Sequence, residues 1–220
     1  KTIYRQRWDS SELDTTIYTA NLETFKKRRE LVAASDTRFS TVLEDGWKLQ
    51  MRLFRTSQDT FLRRYRYEAE QRLDSYVQAE KISDDRYYLV KASDTQGLGE
   101  TDTPDKEPVI LPYIYYEKNS DGPYANQTIR QELSALQLDN DEGHDMVRWT
   151  GLLGTRYQHK ANGHILTATG DLLGSYHDIQ SNNSGNGDLN ELGQAQVIVT
   201  GEWQYPVGVT YGDEKKASAI

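Results

Sequence analysis

The chain has no cysteine among its 220 residues, which removes disulfides, thiol nucleophiles and thiolate metal sites and leaves the compartment open. Long apolar runs are missing as well. Nothing approaches the ~18 consecutive apolar residues of a membrane-crossing helix, and the N-terminal stretch lacks the basic-then-apolar pattern of a signal segment. The chain opens on Lys1 and not on Met, an opening compatible with removal of an upstream piece. Hydrophobic residues make up only 36% and mean hydropathy is −0.82, while 15 Tyr and 4 Trp supply apolar area with polar handles attached. That mixture suits exposed sheets and wet interfaces. Positive charge is scarce in the second part: residues 1–92 carry 18 Lys+Arg against 15 Asp+Glu, and the remainder 8 against 19. The split can orient subunits head to tail, although two differently solvated surfaces explain it as well.

What is there is organised around Met146–Ile179, which reads as one long β-hairpin. Asn162-Gly163 is a strong type I′ turn signal, because both central positions need positive φ. Folding about it sets Leu153 opposite Leu172, Leu152 opposite Leu173, Gly151 opposite Gly174 and Trp149 opposite Tyr176. One face carries Val147, Trp149, Leu153, Tyr157, Leu166, Ala168, Leu172 and Tyr176. The other carries Arg148, Thr150, Arg156, Gln158, Thr167, Thr169, Asp171 and Ser175. The expectation is a buried apolar face and a wet polar one. Ala195–Tyr205 alternates in the same way and extends the hairpin into a three-stranded meander.

Elsewhere, Arg38–Phe54 is a second hairpin candidate turning at Asp45-Gly46. Arg86–Lys91 and Pro108–Glu117 read as strands, the latter with Pro112 marking an edge or a bulge. Three helices are expected: Asn21–Ala34 behind an Asn cap, Asp59–Lys81 from apolar residues at three- and four-residue spacings, and a short one opened by the capping box at Thr128–Gln131. For Asp59–Lys81 a strand is the rival, since Tyr65, Tyr67 and Ala69 also alternate with charges. The fold class expected is therefore α+β, β-rich, with long antiparallel hairpins and two or three helices. It forms a single domain over 1–220, with an N-terminal arm at 1–20, flexible loops at 93–107 and 180–193, and a tail at 212–220. At this length a single core can bury roughly 70% of the unfolded surface.

Chemistry-bearing constellations are few. All four His lie between 144 and 177, but the expected register puts His159 and His164 on opposite faces, with His177 some ~43 Å from His164 along its strand. Only His144 and His177 with Asp145 and Asp178, at the hairpin base, could share an ion, and surface histidines near carboxylates are the ordinary reading; no metal and no cofactor are expected. Asp171 and Glu202 share the polar face with Arg156 diagonal to Asp171, so an acid, a base and an orienting Arg can be drawn; an ordinary cross-strand ion pair uses the same residues. Phe61–Tyr67 interleaves Arg with aromatics as single-strand nucleic-acid sites do, but the acidic pI argues against nucleic acid. The basic tetrad Lys26–Arg29 could hold phosphate, and is more simply a solvated face. Asn126-Gln-Thr and Asn182-Asn-Ser match glycan acceptor sequons. Trp149, Tyr176 and Trp203 could stack on sugar rings, with core packing as the default.

A transmembrane barrel fits the aromatic ends of the hairpin's apolar face, yet it needs at least eight such strands, and residues 1–92 read partly as charged helices. The composition instead resembles non-enzymatic assembly subunits, virion tail, neck or decoration proteins or extracellular appendages, self-associating through sheet edges. An extracytoplasmic carbohydrate-binding module using Trp149, Tyr176 and Trp203 is the alternative, provided those rings stand exposed in a groove. A carbohydrate-active enzyme built on Asp171 and Glu202 comes third.

Overall fold

The computed structural model describes residues 1–8, 10–23, 29–58, 61–64, 72–99, 107, 109–140, 144–181, 190–206, 208–210 and 217–219. Eleven strands, β1 (Thr2–Trp8), β2 (Ser11–Glu23), β3 (Arg29–Val42), β4 (Trp47–Thr56), β5 (Arg72–Ser83), β6 (Arg86–Gly97), β7 (Val109–Asp121), β8 (Gln127–Asp139), β9 (His144–Ala161), β10 (His164–Ser181) and β11 (Asn190–Gln204), form one sheet. Their spatial order is their chain order, and each runs antiparallel to the next. A four-residue helix, α1 (Phe61–Arg64), follows β4, and β12 (Gly208–Thr210) pairs with β13 (Ala217–Ala219) apart from the main sheet.

This is not α+β. The described parts of Asn21–Ala34 are strand, and Thr128–Gln131 opens β8 instead of a helix. Among the described residues of Asp59–Lys81 helix is confined to α1 and 72–81 is strand; 59–60 and 65–71 lie outside them. Charged helix formers misled because one face of every strand is polar: Arg, Glu and Gln at alternate positions raise helix propensity without setting a helical period, and cross-strand neighbours override propensity. The central hairpin pairs residue for residue as its turn dictates, Trp149 with Tyr176, Gly151 with Gly174 and Leu153 with Leu172. Asn162 and Gly163 turn at φ 50° and 80°. Pro112 sits where the β6–β7 and β7–β8 ladders shift register, at a bulge inside the sheet and not at its edge.

The two ends of the sheet differ. At one, consecutive strands are joined by two to five residues (9–10, 43–46, 84–85, 122–126, 162–163); at the other, by four to fifteen (24–28, 57–71, 98–108, 140–143, 182–189). The tight-turn end is also staggered. A row of paired residues runs Trp47, Lys81, Tyr88, Tyr116, Leu133, Gly151, Gly174; it starts one residue from Gly46 and ends eleven residues from Gly163. Ten residues of drift is about 33 Å along the strands, against about 29 Å across six strand spacings. Turns held at one level therefore imply strands tilted by roughly 45–50°, the shear of a barrel wall and not of a flat sheet.

Burial reverses the expectation for the apolar face. Among the described residues the buried apolar side chains are Tyr18, Ala34, Phe54, Phe61, Leu62, Leu73 and Leu98, all gathered at the long-connection end around α1. Tyr18, Ala34 and Phe54 lie on the polar face, the register tying Tyr18 to Ala34 and Phe54 to Asp36, so α1 packs on that side. The apolar face, by contrast, stands open across the sheet: Tyr4, Ile17, Leu53, Val77, Val90, Ile114, Leu133, Trp149, Leu172, Val197 and Val199 are all exposed, Val199 at 79%.

Candidate functional site

The two faces of the sheet are the features most able to do chemistry, and strict alternation along eleven strands builds both. On the polar face, Asp36 of β3 accepts hydrogen bonds from two guanidinium groups, Arg52 (3.0 and 3.1 Å) and Arg38 (2.7 Å), in a part-buried triad whose carboxylate is 11% exposed. Arg5 reaches Asp14 at 2.8 Å and Lys48 reaches Glu80 at 3.3 Å. Farther along, Arg130 is flanked by Glu117 and Glu132, and Tyr115 donates to Glu117. The Lys91 ammonium lies over the Tyr76 ring. Charges of both signs thus line a face that is wet and laterally cross-linked. Only the hairpin part of this lining was anticipated; alternation of Asp36 and Arg38, and of Gln50, Arg52 and Phe54, carried the same period-two signal.

On the apolar face aromatic rings form a chain near the tight turns. Trp47 lies 6.2 Å from Tyr88 and Tyr88 5.2 Å from Tyr116. Trp203 donates its indole N–H to His164 Nδ1 at 3.1 Å, with Tyr205 packed 4.7 Å from the same imidazole. Toward the other end Trp149 and Tyr176 stand side by side, eight residues along β9 from Tyr157, or about 26 Å. Between these levels Gly151, Gly174 and Ala195 leave the backbone bare, opening a groove of about 850 Å³ walled by Ile114, Tyr116, Leu133, Trp149 and Tyr176.

Trp149, Tyr176 and Trp203 are exposed at 58%, 41% and 63%, the condition set for sugar stacking. The side chains that wall the groove are all uncharged, so sugar hydroxyls would find few partners there, and exposure continues along the whole face instead of stopping at a site. Asp171 and Glu202 do share the polar face, with Arg156 diagonal to Asp171. Asp171 stands opposite Ile198, however, and Glu202 opposite Thr167, four residues away along β10, about 13 Å; the two carboxyls do not converge as a glycosidase pair must. Asp171 packs over Gly154, where a Cβ would come within 2.6 Å of its Oδ1. His159 faces Leu166 and therefore shares a face with His164, correcting the expected opposition. His144 pairs with Ser181 and His177 with Arg148, also four residues apart, and among the described residues no group of His, Asp or Glu is placed to hold an ion. Of the Phe61–Tyr67 stretch, Phe61 and Leu62 are buried core residues and not a stacking platform. Lys26–Arg28 lie outside the described residues, and Arg29 begins β3.

No helix of the described residues is long and apolar enough to cross a membrane, which leaves crossing by strands open. Residues 27–208 match the model of the LPS transport system D family, LptD, and the chain belongs to that family. No curated protein matches the chain. Membership overturns the expectation of a virion or appendage subunit assembling through its sheet edges. Because lipopolysaccharide transport is a task of the cell envelope, the extracytoplasmic location stands and the virion does not.

Proposed function

We propose that this chain forms a stretch of the wall of an outer-membrane β-barrel serving lipopolysaccharide transport, with its apolar face in lipid and its polar face toward an aqueous lumen. The observation that carries this is the exposed apolar face: large hydrophobic side chains stand outward from β1 to β11, while the ion pairs Arg5–Asp14, Arg52–Asp36 and Arg130–Glu132 lie on the opposite face. In water such a surface would far exceed the patches that monomers tolerate; in a bilayer it is the surface required. The stagger of the turns, the aromatic rings at two levels and the tight turns at one end support the same reading, as does family membership. By the asymmetry common to such barrels, the tight turns face the periplasm and the longer connections the exterior. Hydrocarbon tolerates no unpaired ladder, so the free edges of β1 and β11 are met by further strands.

The polar lining suits the cargo. Lipopolysaccharide presents anionic, hydroxyl-rich sugars, and Arg38, Arg52, Lys91, Arg130, Arg148 and Arg156 on one face offer donors among carboxylates that keep binding weak enough for passage. Its partners on this reading are the glycolipid and other components of the same transport system.

The absence of native cysteine makes the test direct. Single cysteines replacing Leu172 and Val197 on the apolar face, and their neighbours Leu173 and Gln196 on the polar face, are probed in outer membranes with a water-soluble maleimide. The expected result is labelling at 173 and 196 and protection at 172 and 197. Equal labelling of all four would overturn the lipid-facing assignment.

A further inference from the structure

Strand β4 is held differently on its two sides. Against β3 its ladder runs to the last residue, Ala34 opposite Thr56. Against β5 it stops at Arg52 opposite Tyr76, although both strands continue. Beyond that point side chains stand in for the missing ladder. The Phe54 N–H donates to Ser75 Oγ at 3.0 Å and the Ser75 hydroxyl donates back to the Phe54 carbonyl at 3.2 Å. The Thr56 N–H donates to Gln96 Oε1 and Gln96 Nε2 donates to the Thr56 carbonyl, both at 3.0 Å, with Gln96 reaching to β4 from its place on β6 opposite Leu73 of β5. On the apolar face Arg55 pairs with Asp94 across the same junction. A backbone ladder is replaced by four hydrogen bonds to two side chains, each with rotamer freedom to regain on release.

The molecule's core sits over this gap. After Thr56 the chain turns back: Ser57 donates to the Ala33 carbonyl at 2.9 Å and its Oγ accepts from the Ala33 N–H at 3.0 Å. The Phe61 N–H closes onto Gln58. This lays α1 beside Phe54 of β4, and Phe61 and Leu62 are fully buried in one cluster with Phe54, Leu73 of β5 and Leu98 after β6. β4 and β5, which the ladder leaves unpaired here, therefore share one buried cluster with two apolar side chains of one short helix.

We propose that the β4–β5 junction at its long-connection end is a seam that opens as a unit while the rest of the sheet stays paired, and that Phe61 and Leu62 are the latch that keeps it shut. With the latch withdrawn, Ser75 and Gln96 release Phe54 and Thr56 together, because the four bonds share one gap and one cover. The seam does not depend on what the barrel transports, and it stands whether or not the apolar face meets lipid.

Hydrogen exchange on the full chain in its membrane mimetic tests this without a variant. The amides of Phe54 and Thr56 are expected to exchange together, at least tenfold faster than those of Met51 and Arg52 in the intact ladder, with little sensitivity to denaturant. Phe61→Ala is expected to speed exchange at 54, 56 and 73–75 by a further tenfold or more and to leave β9 and β10 unchanged. Should that variant fail to fold, Gln96→Leu, which removes the bridge and keeps an apolar cover, is expected to accelerate Thr56; Gln78→Leu, whose bond to Gln50 crosses intact ladder, is expected not to. Exchange at 54 and 56 that matches residues 51 and 52, or that accelerates only with the whole sheet, would overturn the seam.

Discussion

The β9–β11 end of the sheet and the β2–β6 end are stabilised by different physics. In β9–β11 the ladders are long and unbroken, yet no large apolar side chain there is fully buried, and Leu172, Val197 and Val199 stand half or more exposed. Around α1 the ladder is broken, and among the described residues every fully buried apolar side chain gathers there. One region relies on backbone pairing and on its surroundings to cover its side chains; the other relies on packing of the kind found in water-soluble cores. Hydrogen bonding gains most where water is absent, so the long ladders belong with the lipid-facing reading and the core with a part of the protein that reaches water.

The sharpest way to break this contrast is to remove core from the second region. Phe61→Ala deletes a ring with no solvent exposure and should destabilise by about 3–5 kcal/mol as measured by denaturant unfolding in detergent. The same truncation on the open face, Trp203→Ala, should cost far less in detergent. Equal losses would remove the distinction between the regions.

Next in size, Leu172→Arg places a charge on the apolar face of β10. At the middle of a bilayer it should cost about 2–4 kcal/mol in folding equilibria with lipid vesicles, while Thr169→Arg, three residues away along β10 on the polar face, should be close to neutral. If the two behave alike, the apolar face does not meet hydrocarbon.

Asp36→Asn probes the polar lining at an intermediate scale. It leaves Arg52, whose side chain is 17% exposed, and Arg38 without their shared carboxylate, and should cost about 1.5–3 kcal/mol near neutral pH. Below the pH at which Asp36 takes up a proton the difference from wild type should vanish. Removing the exposed Arg7–Glu12 pair should change stability by less than about 1 kcal/mol.

How legible all this was follows from where the local signal is strong. Asn162-Gly163 set a register that holds for every pair checked in β9 and β10, because turn chemistry and period two agreed. The sequence reading erred where Glu, Arg and Gln alternate with small or aromatic residues, in β2, β3, β5 and β8: a polar sheet face imitates a solvated helix, and both supply one polar side. The same ambiguity inverted the burial. Alternation tells that two faces differ in chemistry, but water inside and lipid outside produce the same string as water outside and core inside. Only the number of strands, their stagger and the missing second layer separate the two. The β4–β5 seam gave no local signal at all, since Ser75 and Gln96 act through residues far apart in the chain.

The most local effect addresses the turn from which the register was read. Gly163 has φ +80°, and a Cβ there would lie 3.3 Å from the Tyr205 ring. Gly163→Val forces a β-branched residue into a left-handed conformation and pushes on that ring, so it should cost more than ~1 kcal/mol. Because β9 and β10 share eighteen paired residues, the penalty should fray the hairpin tip and spare its middle. Exchange should quicken at Ala161 and His164 with Leu153 and Leu172 unchanged, and Trp203 fluorescence should shift as its contact with His164 loosens. Thermal unfolding that shows no loss would sink the type I′ turn, and a loss spread evenly along the hairpin would mean that its long ladder is less independent of its ends than the contrast with the α1 region requires.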